Sequence, residues 1–465
     1  MKIEQLYTKC LAQGAYYIES NGEAAIIDPL REVNQYIQLA KESGATIKYI
    51  FETHFHADFV SGHVTLAKET GATIVYGPNA KTSFDAHIAT DCEEFKVGDL
   101  TIRVIHTPGH TLESSCYLLI DKEGNEQAIF TGDTLFLGDV GRPDLAQKGD
   151  LTQEDLAGML FDSLRNKIMP LSDDLTVYPG HGAGSACGKN MSKETVGNLG
   201  DQKKTNYALR ADMTKEEFIT ELTDGLTPPP AYFPLNVQLN KNGYEDISQV
   251  ISKGKKALSL ADFKEKRAQE GVLVLDVRHQ KDFSLGHVPD SIFIGLDGSF
   301  APWVGAIIKD INTPVLLVTP QGREEETIIR LARVGFDNVI GYLDGGIQTW
   351  VDGGELTAIV GFVTANELAK SEKPLIFDVR KDGEFNASHI DGAIHVPLSK
   401  LEENIDKFPE TDLNYVHCAG GYRSVIAISI LKKHGIHSSV DVLGGYGKIK
   451  NEDFAFAEGA CSMGG

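Results

Sequence analysis

Short apolar stretches alternate with polar and amphipathic stretches along the chain, and this pattern predicts its elements. In the first half, short apolar stretches followed by polar loops predict strands at residues 15–19, 47–51, 101–105, 128–130 and 175–178. In the second half, strands such as 272–275 and 374–377 alternate with amphipathic helices such as 325–334 and 424–434. The second pattern is typical of a parallel α/β sheet, so two kinds of domain are predicted.

The second half also contains one sequence twice, about 100 residues apart. Asp276-Val277-Arg278 recurs as Asp378-Val379-Arg380, and Gly345-Gly346 recurs as Gly444-Gly445. Upstream, the prolines at 228–230 and 234 forbid a continuous helix and favour an extended connector. We therefore predict three domains, which are residues 1–250 with the connector at their C-terminal end, residues 257–355 and residues 358–465.

Composition and charge exclude several classes of protein. Hydrophobic residues make up 42% and charged residues 24% of the 465 residues, values that exclude disorder and collagen. The formal net charge of −22 repels phosphate groups, so we expect neither nucleic acid nor a membrane surface as a partner. No apolar stretch reaches the roughly 20 residues of a membrane span, and no signal peptide is recognisable. Six cysteines without a Cys-x-x-Cys pair predict no disulfide framework, which favours the cytoplasm.

Metal-ligand side chains follow four of the predicted strands in the first half. Because loops at strand ends hold side chains in fixed positions, we expect these residues to converge on one rim of a sheet. Imidazole and carboxylate groups suit a first-row divalent metal. The candidates are His54, His56 and Asp58 after the strand at 47–51, His110 after 101–105, Asp133 after 128–130, and His181 after 175–178.

These residues resemble the metallo-β-lactamase superfamily over roughly residues 1–225, and the resemblance implies an N-terminal αββα sandwich. That family often carries His-x-His-x-Asp-His, but Phe59 stands here in place of the last histidine. A phenyl ring donates no lone pair. A second metal pocket would keep only Asp58, His181 and a share of Asp133, so one metal per chain is predicted.

Within this superfamily the motifs resemble those of the persulfide dioxygenases, which hold one non-haem iron with two histidines and one aspartate. The resemblance implies Fe(II) on His54, His110 and Asp133, with zinc as the alternative metal. His56, Asp58, Phe59 and His181 would then surround the ligands. Arg142, in the following segment 136–144, is a candidate for substrate binding, although a solvated loop arginine explains it equally well.

The second repeat carries a loop that resembles the active site of the rhodaneses. Cys418 comes directly after the strand at 415–417. The residues that follow are the predicted persulfide-binding loop, Ala419, Gly420, Gly421 and Tyr422, and then Arg423 and an apolar helix. Backbone N–H groups and a helix N-terminus would stabilise the thiolate and its persulfide. We predict Cys418 as the nucleophile and Arg423 as its catalytic partner.

The first repeat has Thr319 at this position, so it is interpreted as a rhodanese-like domain without a nucleophile. Cys187, six residues after His181, is either a packing thiol or a sulfur relay.

The resemblances together imply a bifunctional enzyme of sulfide metabolism, with an αββα sandwich followed by two rhodanese-like α/β domains. The first domain would oxidise a low-molecular-weight thiol persulfide with O₂ to thiol and sulfite, and Cys418 would transfer sulfur to give thiosulfate. The alternative is a glyoxalase-II-like dizinc thioesterase fused to a sulfurtransferase. A homo-oligomer is expected, and the identity of the thiol stays open.

Overall fold

The computed structural model describes residues 1–145, 151–226 and 228–459. Position 227 of the predicted connector and residues 460–465 of the predicted third domain lie outside the described residues. The chain divides into two compact units. One comprises Met1–Gln249 with Leu331–Gly335, and the other comprises Val250–Arg330 with Phe336–Gly465.

The first unit contains two mixed six-stranded sheets. One sheet has the order β1-β2-β3-β4-β5-β6 and the other β12-β11-β10-β9-β8-β7. Strands β3 to β6 run parallel to one another, as do β10 and β11, while the other neighbours are antiparallel. The strands are β1 (Lys2–Thr8), β2 (Gln13–Ser20), β3 (Glu23–Ile27), β4 (Thr46–Glu52), β5 (Thr73–Tyr76), β6 (His87–Ile88), β7 (Glu94–Val97), β8 (Leu100–His106), β9 (Ser115–Ile120), β10 (Glu126–Gly132), β11 (Thr176–Pro179) and β12 (Gly197–Asn198).

Helices cover the outer face of each sheet. Capping boxes at Thr152 and Thr214 begin two of them, because the threonine hydroxyl accepts the third backbone N–H while the third residue's carboxylate accepts the cap's own N–H. The helices are α1 (Asn34–Ser43), α2 (His63–Thr70), α3 (Gln153–Ser163) with a π-helical extension (Leu164–Ile168), α4 (Leu199–Thr205), a 3₁₀ turn (Tyr207–Leu209), α5 (Lys215–Thr223), α6 (Phe233–Asn242) and α7 (Ile247–Gly254).

The core of this unit lies between the two sheets. Tyr16 and Phe51 of the first sheet pack in one buried cluster with Tyr117 and Phe130 of the second. Two further apolar clusters join each sheet to its helices. Burial of each large apolar side chain contributes roughly 1.5–3 kcal/mol. The predicted αββα sandwich is confirmed.

The residues from 257 onward form two five-stranded parallel sheets and a small two-stranded sheet. The sheet orders are β13-β17-β16-β14-β15, β18-β23-β22-β19-β21 and β20-β24. The strands are β13 (Ala257–Leu258), β14 (Leu273–Asp276), β15 (Ile292–Phe293), β16 (Val315–Val318), β17 (Val339–Leu343), β18 (Phe362–Val363), β19 (Leu375–Asp378), β20 (His389–Ile390), β21 (Ile394–His395), β22 (Asn414–His417), β23 (Ser439–Val442) and β24 (Phe456–Ala457).

The helices of this half flank the parallel sheets. They are α8 (Leu260–Arg267), α9 (Gln280–Leu285), α10 (Phe300–Ile307), α11 (Glu324–Ala332), α12 (Gly346–Asp352), α13 (Ala365–Ala369), α14 (Asp382–Ala387), 3₁₀ segments (Leu398–Lys400 and Glu402–Lys407), α15 (Arg423–Lys433) and α16 (Tyr446–Ile449). None of the helices within the described ranges is both long and apolar enough to cross a bilayer.

The two repeats have matching sheet registers. Asp276 pairs with Val318 in the first sheet, and Asp378 pairs with His417 in the second. Thr319 and Cys418 therefore occupy equivalent positions, each directly after a central strand. The prediction of two parallel α/β domains is confirmed.

The segment from 228 to 249 differs from the extended connector that its prolines favoured. It contains α6 and the start of α7, and both belong to the first unit as far as Gln249. Pro234 stands in the first turn of α6, where its missing N–H costs no helix hydrogen bond. Pro234 therefore starts a helix, while the prolines at 228–230 lie in the non-helical stretch before it.

Candidate functional site

Strand ends of the first unit bring three metal-ligand side chains together. His54 follows β4, His110 follows β8, and Asp133 follows β10. His54 Nε2 lies 3.9 Å and His110 Nε2 3.6 Å from Asp133 Oδ2. All three residues are at most 2% exposed, and their ligand atoms lie within 4.8 Å of one another.

Hydrogen bonds hold both imidazoles in the tautomer that carries its hydrogen on Nδ1 and leaves Nε2 unprotonated. Thr53 donates its hydroxyl proton to Asp28, so its Oγ1 accepts from Nδ1 of His54 at 3.0 Å. Nδ1 of His110 donates to the backbone carbonyl of Arg142 at 2.7 Å. Each ring therefore presents a lone pair on Nε2 toward Asp133.

His181, which follows β11, orients the carboxylate. Its Nδ1 donates to Asp133 Oδ1 at 2.8 Å, while Oδ2 has no hydrogen-bond partner among the described residues. Burial alone would raise the pKa of Asp133, but the neighbouring imidazoles His181, His54 and His110 hold it well below its usual value. Burial, with the nearby His56, lowers the pKa of His54 well below its usual value. An ionised carboxylate thus faces a neutral imidazole.

This donor set fits a bound divalent metal. Leaving Asp133 Oδ2 buried without a partner is costly, and a cation between it and the two Nε2 atoms removes that cost. Two imidazoles and one carboxylate suit iron(II) and zinc alike. His54, His110 and Asp133 can therefore hold one metal ion.

His56 is turned away from this group. Its Nε2 lies 3.1 Å from Asp28 Oδ1 and 3.5 Å from Glu52 Oε2. Burial, and then the charge of Asp28, raises the pKa of Glu52 well above its usual value. The ring of Phe59 packs 4.4 Å from that of His56 and is fully buried. His56 and Phe59 therefore lie in a buried cluster beside the three donors.

A second group of donors lies next to the first. Oδ2 of Asp58 is 2.8 Å from Nε2 of His181, and the ligand atoms of Asp58, His181 and Cys187 lie within 4.8 Å of one another. Cys187 was predicted only as a packing thiol or relay, so its position as a third donor was missed. Burial, and then the charges of Asp58 and Asp133, raises the pKa of Cys187 well above its usual value. Near neutral pH it is a thiol, which is a weak ligand for a metal.

The thiol of Cys418 lies in a separate site in the second unit. It is buried directly after β22, and Gly421 donates its backbone N–H to Sγ at 3.1 Å. Ser424 at the start of α15 places its Oγ 3.5 Å from the same sulfur. Gly421 has φ +95°, a conformation that glycine adopts without strain. The loop thus aims a backbone N–H at the sulfur and places a hydroxyl group beside it.

Arg423 forms a two-pronged ion pair beside this loop. Its Nη1 and Nη2 lie 2.6 and 2.8 Å from the carboxylate of Glu384. Burial opposes the charge of Arg423, but Glu384 and Cys418 raise the pKa of the guanidinium. A fixed positive charge therefore lies near the thiol.

In the equivalent loop of the first repeat, the carboxylate of Glu324 accepts the hydrogen bonds of the loop. Gly322 donates its N–H to Glu324 Oε1 at 3.0 Å, and Thr319 donates its hydroxyl to the same oxygen at 3.3 Å. The N–H group that serves the sulfur in the second repeat is thus already occupied in the first.

Comparisons with known proteins agree with this division of the chain. The model of the metallo-beta-lactamase superfamily matches residues 9–181. A 2.1 Å crystal structure of a metallo-beta-lactamase from Staphylococcus aureus subsp. aureus COL is 30% identical, with a TM-score of 0.64. The match covers 74% of this chain and 98% of that one.

The chain belongs to the metallo-β-lactamase superfamily. The model of the rhodanese-like domain matches residues 259–352 and 364–452, so this superfamily member carries two rhodanese-like domains after its metallo-β-lactamase domain.

Curated relatives match the metallo-β-lactamase domain. The cytoplasmic hydroxyacylglutathione hydrolase of Arabidopsis thaliana is 31% identical over 39% of this chain and 67% of its own length. The probable hydroxyacylglutathione hydrolase glo2 of Schizosaccharomyces pombe is 35% identical over 34% of this chain. The chain spans only 58% of the length of glo2.

Arg142 of the metallo-β-lactamase domain contacts the site through its backbone. Besides accepting from His110, it donates its N–H to the carbonyl of Cys187 at 3.0 Å. Its side chain bonds both carboxylate oxygens of Asp144 at 2.6 Å and the carbonyl of Ala186 at 3.3 Å. The guanidinium is thus already engaged, and substrate binding by Arg142 stays a prediction.

Asn240 is a residue of the site that sequence reasoning missed. It lies in α6, is 1% exposed, and donates from Nδ2 to the carbonyls of His56 and Phe59, both at 2.8 Å. Its Oδ1 accepts the N–H of Ser61 at 2.9 Å. The loop after β4 is therefore held by a helix beyond the residues that the superfamily model matches. An asparagine shortly after four prolines was the only signal in the sequence, and it is not specific.

Proposed function

We propose that this protein is a bifunctional enzyme that oxidises a low-molecular-weight thiol persulfide at the metallo-β-lactamase domain and transfers sulfur through Cys418. The first reaction is RSSH + O₂ + H₂O → RSH + SO₃²⁻ + 2H⁺. The second is the attack of sulfite on a Cys418 persulfide, which releases thiosulfate and returns the Cys418 thiolate.

The main support for the proposed oxidation is the group of metal-ligand side chains around Asp133. His54, His110 and Asp133 converge, while His56 pairs with Asp28 and Glu52. Two imidazoles and one carboxylate leave adjacent positions open, which oxygen chemistry needs because O₂ and substrate must both reach the metal. Iron(II) held there would supply redox chemistry that activates O₂, while the four electrons that reduce O₂ come from the persulfide sulfur.

The protein's own residues prepare this site before any substrate arrives. Thr53 and the carbonyl of Arg142 hold the two imidazoles in the ligating tautomer. His181 holds Asp133 so that one carboxylate oxygen faces them. Burial excludes bulk water, which protects a reactive sulfur compound from side reactions.

The loop at Cys418 supports the sulfur-transfer proposal. The N–H of Gly421 and the hydroxyl of Ser424 lie at hydrogen-bond distance from the sulfur, and Arg423 adds positive charge. These groups can stabilise negative charge on the nucleophilic sulfur. The terminal sulfur of a Cys418 persulfide carries the same charge and gains from the same donors.

Two assays test the proposal together. In an oxygen electrode, the anaerobically purified, iron-loaded protein should consume O₂ only when a persulfide such as glutathione persulfide is added, and sulfite should appear. A thiosulfate:cyanide assay should show sulfur transfer that disappears in Cys418→Ser. A protein that consumes no O₂ with any of several thiol persulfides would overturn the oxidation half.

A hydrolase is the second candidate, and two observations favour it. The group Asp58, His181 and Cys187 provides donors for a second metal, and the curated relatives are named as hydroxyacylglutathione hydrolases. Two zinc ions would then activate water for thioester cleavage. Hydrolysis of S-D-lactoylglutathione without persulfide-dependent O₂ uptake would establish this alternative.

A further inference from the structure

The Cys-less first rhodanese-like domain contacts the catalytic loop of the second. Tyr422, four residues after Cys418, donates its phenolic proton to the carbonyl of Gly295 at 2.7 Å. Its ring lies 5.7 Å from that of Phe293 in an edge-on arrangement. A residue of the proposed active loop is therefore anchored in the neighbouring domain.

The anchor is a tight turn at residues 295–298, which we name the docking turn. The N–H of Gly298 donates to the carbonyl of Gly295, the same oxygen that accepts from Tyr422. A Cβ at position 298 would lie 2.4 Å from Cζ of Tyr422, so any other residue there would displace the ring from this position. The turn is thus shaped to receive this tyrosine.

Two arginines of the first repeat hold the docking turn. Arg323, in the loop after Thr319, binds the carboxylate of Asp297 at 2.8 and 2.9 Å. Arg330 of α11 donates to the carbonyl of Leu296 at 2.7 Å. The first repeat therefore supplies the turn and both side chains that support it.

A second contact fixes the two domains beside this anchor. The N–H of Phe293, in β15, donates to the hydroxyl of Ser429 in α15 at 3.1 Å. Helix α15 begins at Arg423, directly after Tyr422. The middle of the helix and the loop before it are thus both tied to β15 and its following turn.

We infer that the Cys-less domain is a positioning domain, which holds Tyr422 and through it the Gly421 N–H that serves Cys418. This inference rests on the proposed sulfur transfer by Cys418. Only φ and ψ of Gly421 separate its N–H from the peptide bond to Tyr422, so a fixed Tyr422 restricts the positions that this N–H can take. A fixed donor stabilises the sulfur anion without reorganisation during the reaction.

Tyr422→Phe and Arg330→Gln test this inference on the full-length chain. Each removes one hydrogen bond of the anchor and leaves Cys418, Gly421 and Ser424 in place. The matched controls are Tyr342→Phe in β17 and Arg267→Gln, whose guanidinium bonds the carbonyl of Pro289 away from the docking turn. All variants are compared below their unfolding temperatures.

We expect kcat/KM for thiosulfate:cyanide transfer to fall about fivefold in both anchor variants, as for the loss of one positioning hydrogen bond. Alkylation of Cys418 by iodoacetamide at pH 7, followed by peptide mass spectrometry, should slow because the reacting sulfur loses a fixed hydrogen-bond donor. The double variant should be no slower than either single one, because both act through one turn. The controls should match the wild type.

The inference would be overturned if Tyr422→Phe transferred sulfur at the wild-type rate and its Cys418 were alkylated as fast as in the wild type or faster. This holds even if the variant unfolds at a lower temperature. Such a result would show a contact that stabilises the fold without positioning the loop. If the wild-type chain transfers no sulfur, the proposed function fails instead. The alkylation comparison then still tests the anchor, because it needs no sulfur donor.

Discussion

The Nδ1 atom of His181 lies 2.8 Å from Oδ1 of Asp133, and this contact leaves only Oδ2 of the aspartate facing His54 and His110. The carboxylate is buried, so its direction depends on this hydrogen bond. The same imidazole reaches Asp58 through Nε2. His181 therefore connects the two groups of metal-ligand side chains.

Replacing His181 should weaken metal binding without removing a proposed ligand. In His181→Gln, Asp133 loses its fixed orientation, and we expect iron affinity to fall about 10- to 100-fold. Competition with a chromophoric chelator under argon measures this change. His106→Gln is the matched control, because His106 bonds the carbonyl of Leu112 outside the site. Equal affinities of wild type and His181→Gln would contradict this role.

The two proposed activities should be separable by mutation. Asp133→Ala should release iron and abolish persulfide-dependent O₂ uptake, while thiosulfate:cyanide transfer stays near the wild-type rate. Cys418→Ser should lose the transfer and keep O₂ uptake. Loss of both activities in either variant would show that the sites depend on each other.

His54 and His56 should respond differently to the same substitution. His54→Gln should lower bound iron to a small fraction of the wild-type content, since it removes a ligand. His56→Gln should keep iron near one per chain, because His56 contacts Asp28 and Glu52 instead. Metal analysis after anaerobic purification measures both. Loss of iron to the same extent in the two variants would place His56 among the ligands.

Cys187→Ser tests whether the second donor group holds a metal. With a single metal on Asp133, this variant should keep the wild-type metal content and O₂ uptake. The substitution is nearly isosteric at a buried position, so it changes little besides the sulfur. If Cys187→Ser lost one of two metal equivalents, the dinuclear alternative would be favoured.

Several parts of this structure follow from the sequence for simple physical reasons. The strands before His54, His110, Asp133 and Cys418 were predicted because short apolar stretches between polar loops have few alternatives. The repeat was visible because Asp276 and Asp378 recur with their neighbours. Within the described residues, these features lie in regular elements with strong local signals.

Other parts depend on contacts that no local pattern records. His54 and His56 differ by two positions, yet one faces Asp133 and the other Asp28, because the loop leaves the regular strand geometry after Glu52. Asn240 reaches this loop from a segment predicted as an extended connector. The link between Tyr422 and Gly295 joins residues more than one hundred positions apart. Such long-range pairs depend on tertiary packing.

The stability of the second unit should fall in acid because of His287. Its ring is buried against Phe283, and burial lowers its pKa from 6.5 to about 4. The unfolded chain therefore binds more protons than the folded one between these values, so stability is lost as the pH falls from about 6.5 to 4. The loss for this group is up to about 3 kcal/mol.

Chemical denaturation at pH 7 and pH 4.5 measures this dependence. His287→Gln should show a smaller difference between the two pH values than the wild type. His437→Gln, at an exposed position, should retain the full difference. An unchanged pH dependence in His287→Gln would exclude His287 as its source.

The number and identity of the bound metal ions distinguish a mononuclear iron dioxygenase from a dizinc hydrolase. The protein should be purified anaerobically from iron-replete cells, analysed for metals by mass spectrometry, and crystallised for anomalous diffraction at the iron and zinc edges. We expect one iron per chain between His54, His110 and Asp133. Two zinc ions per chain, the second at Asp58 and His181, would contradict it.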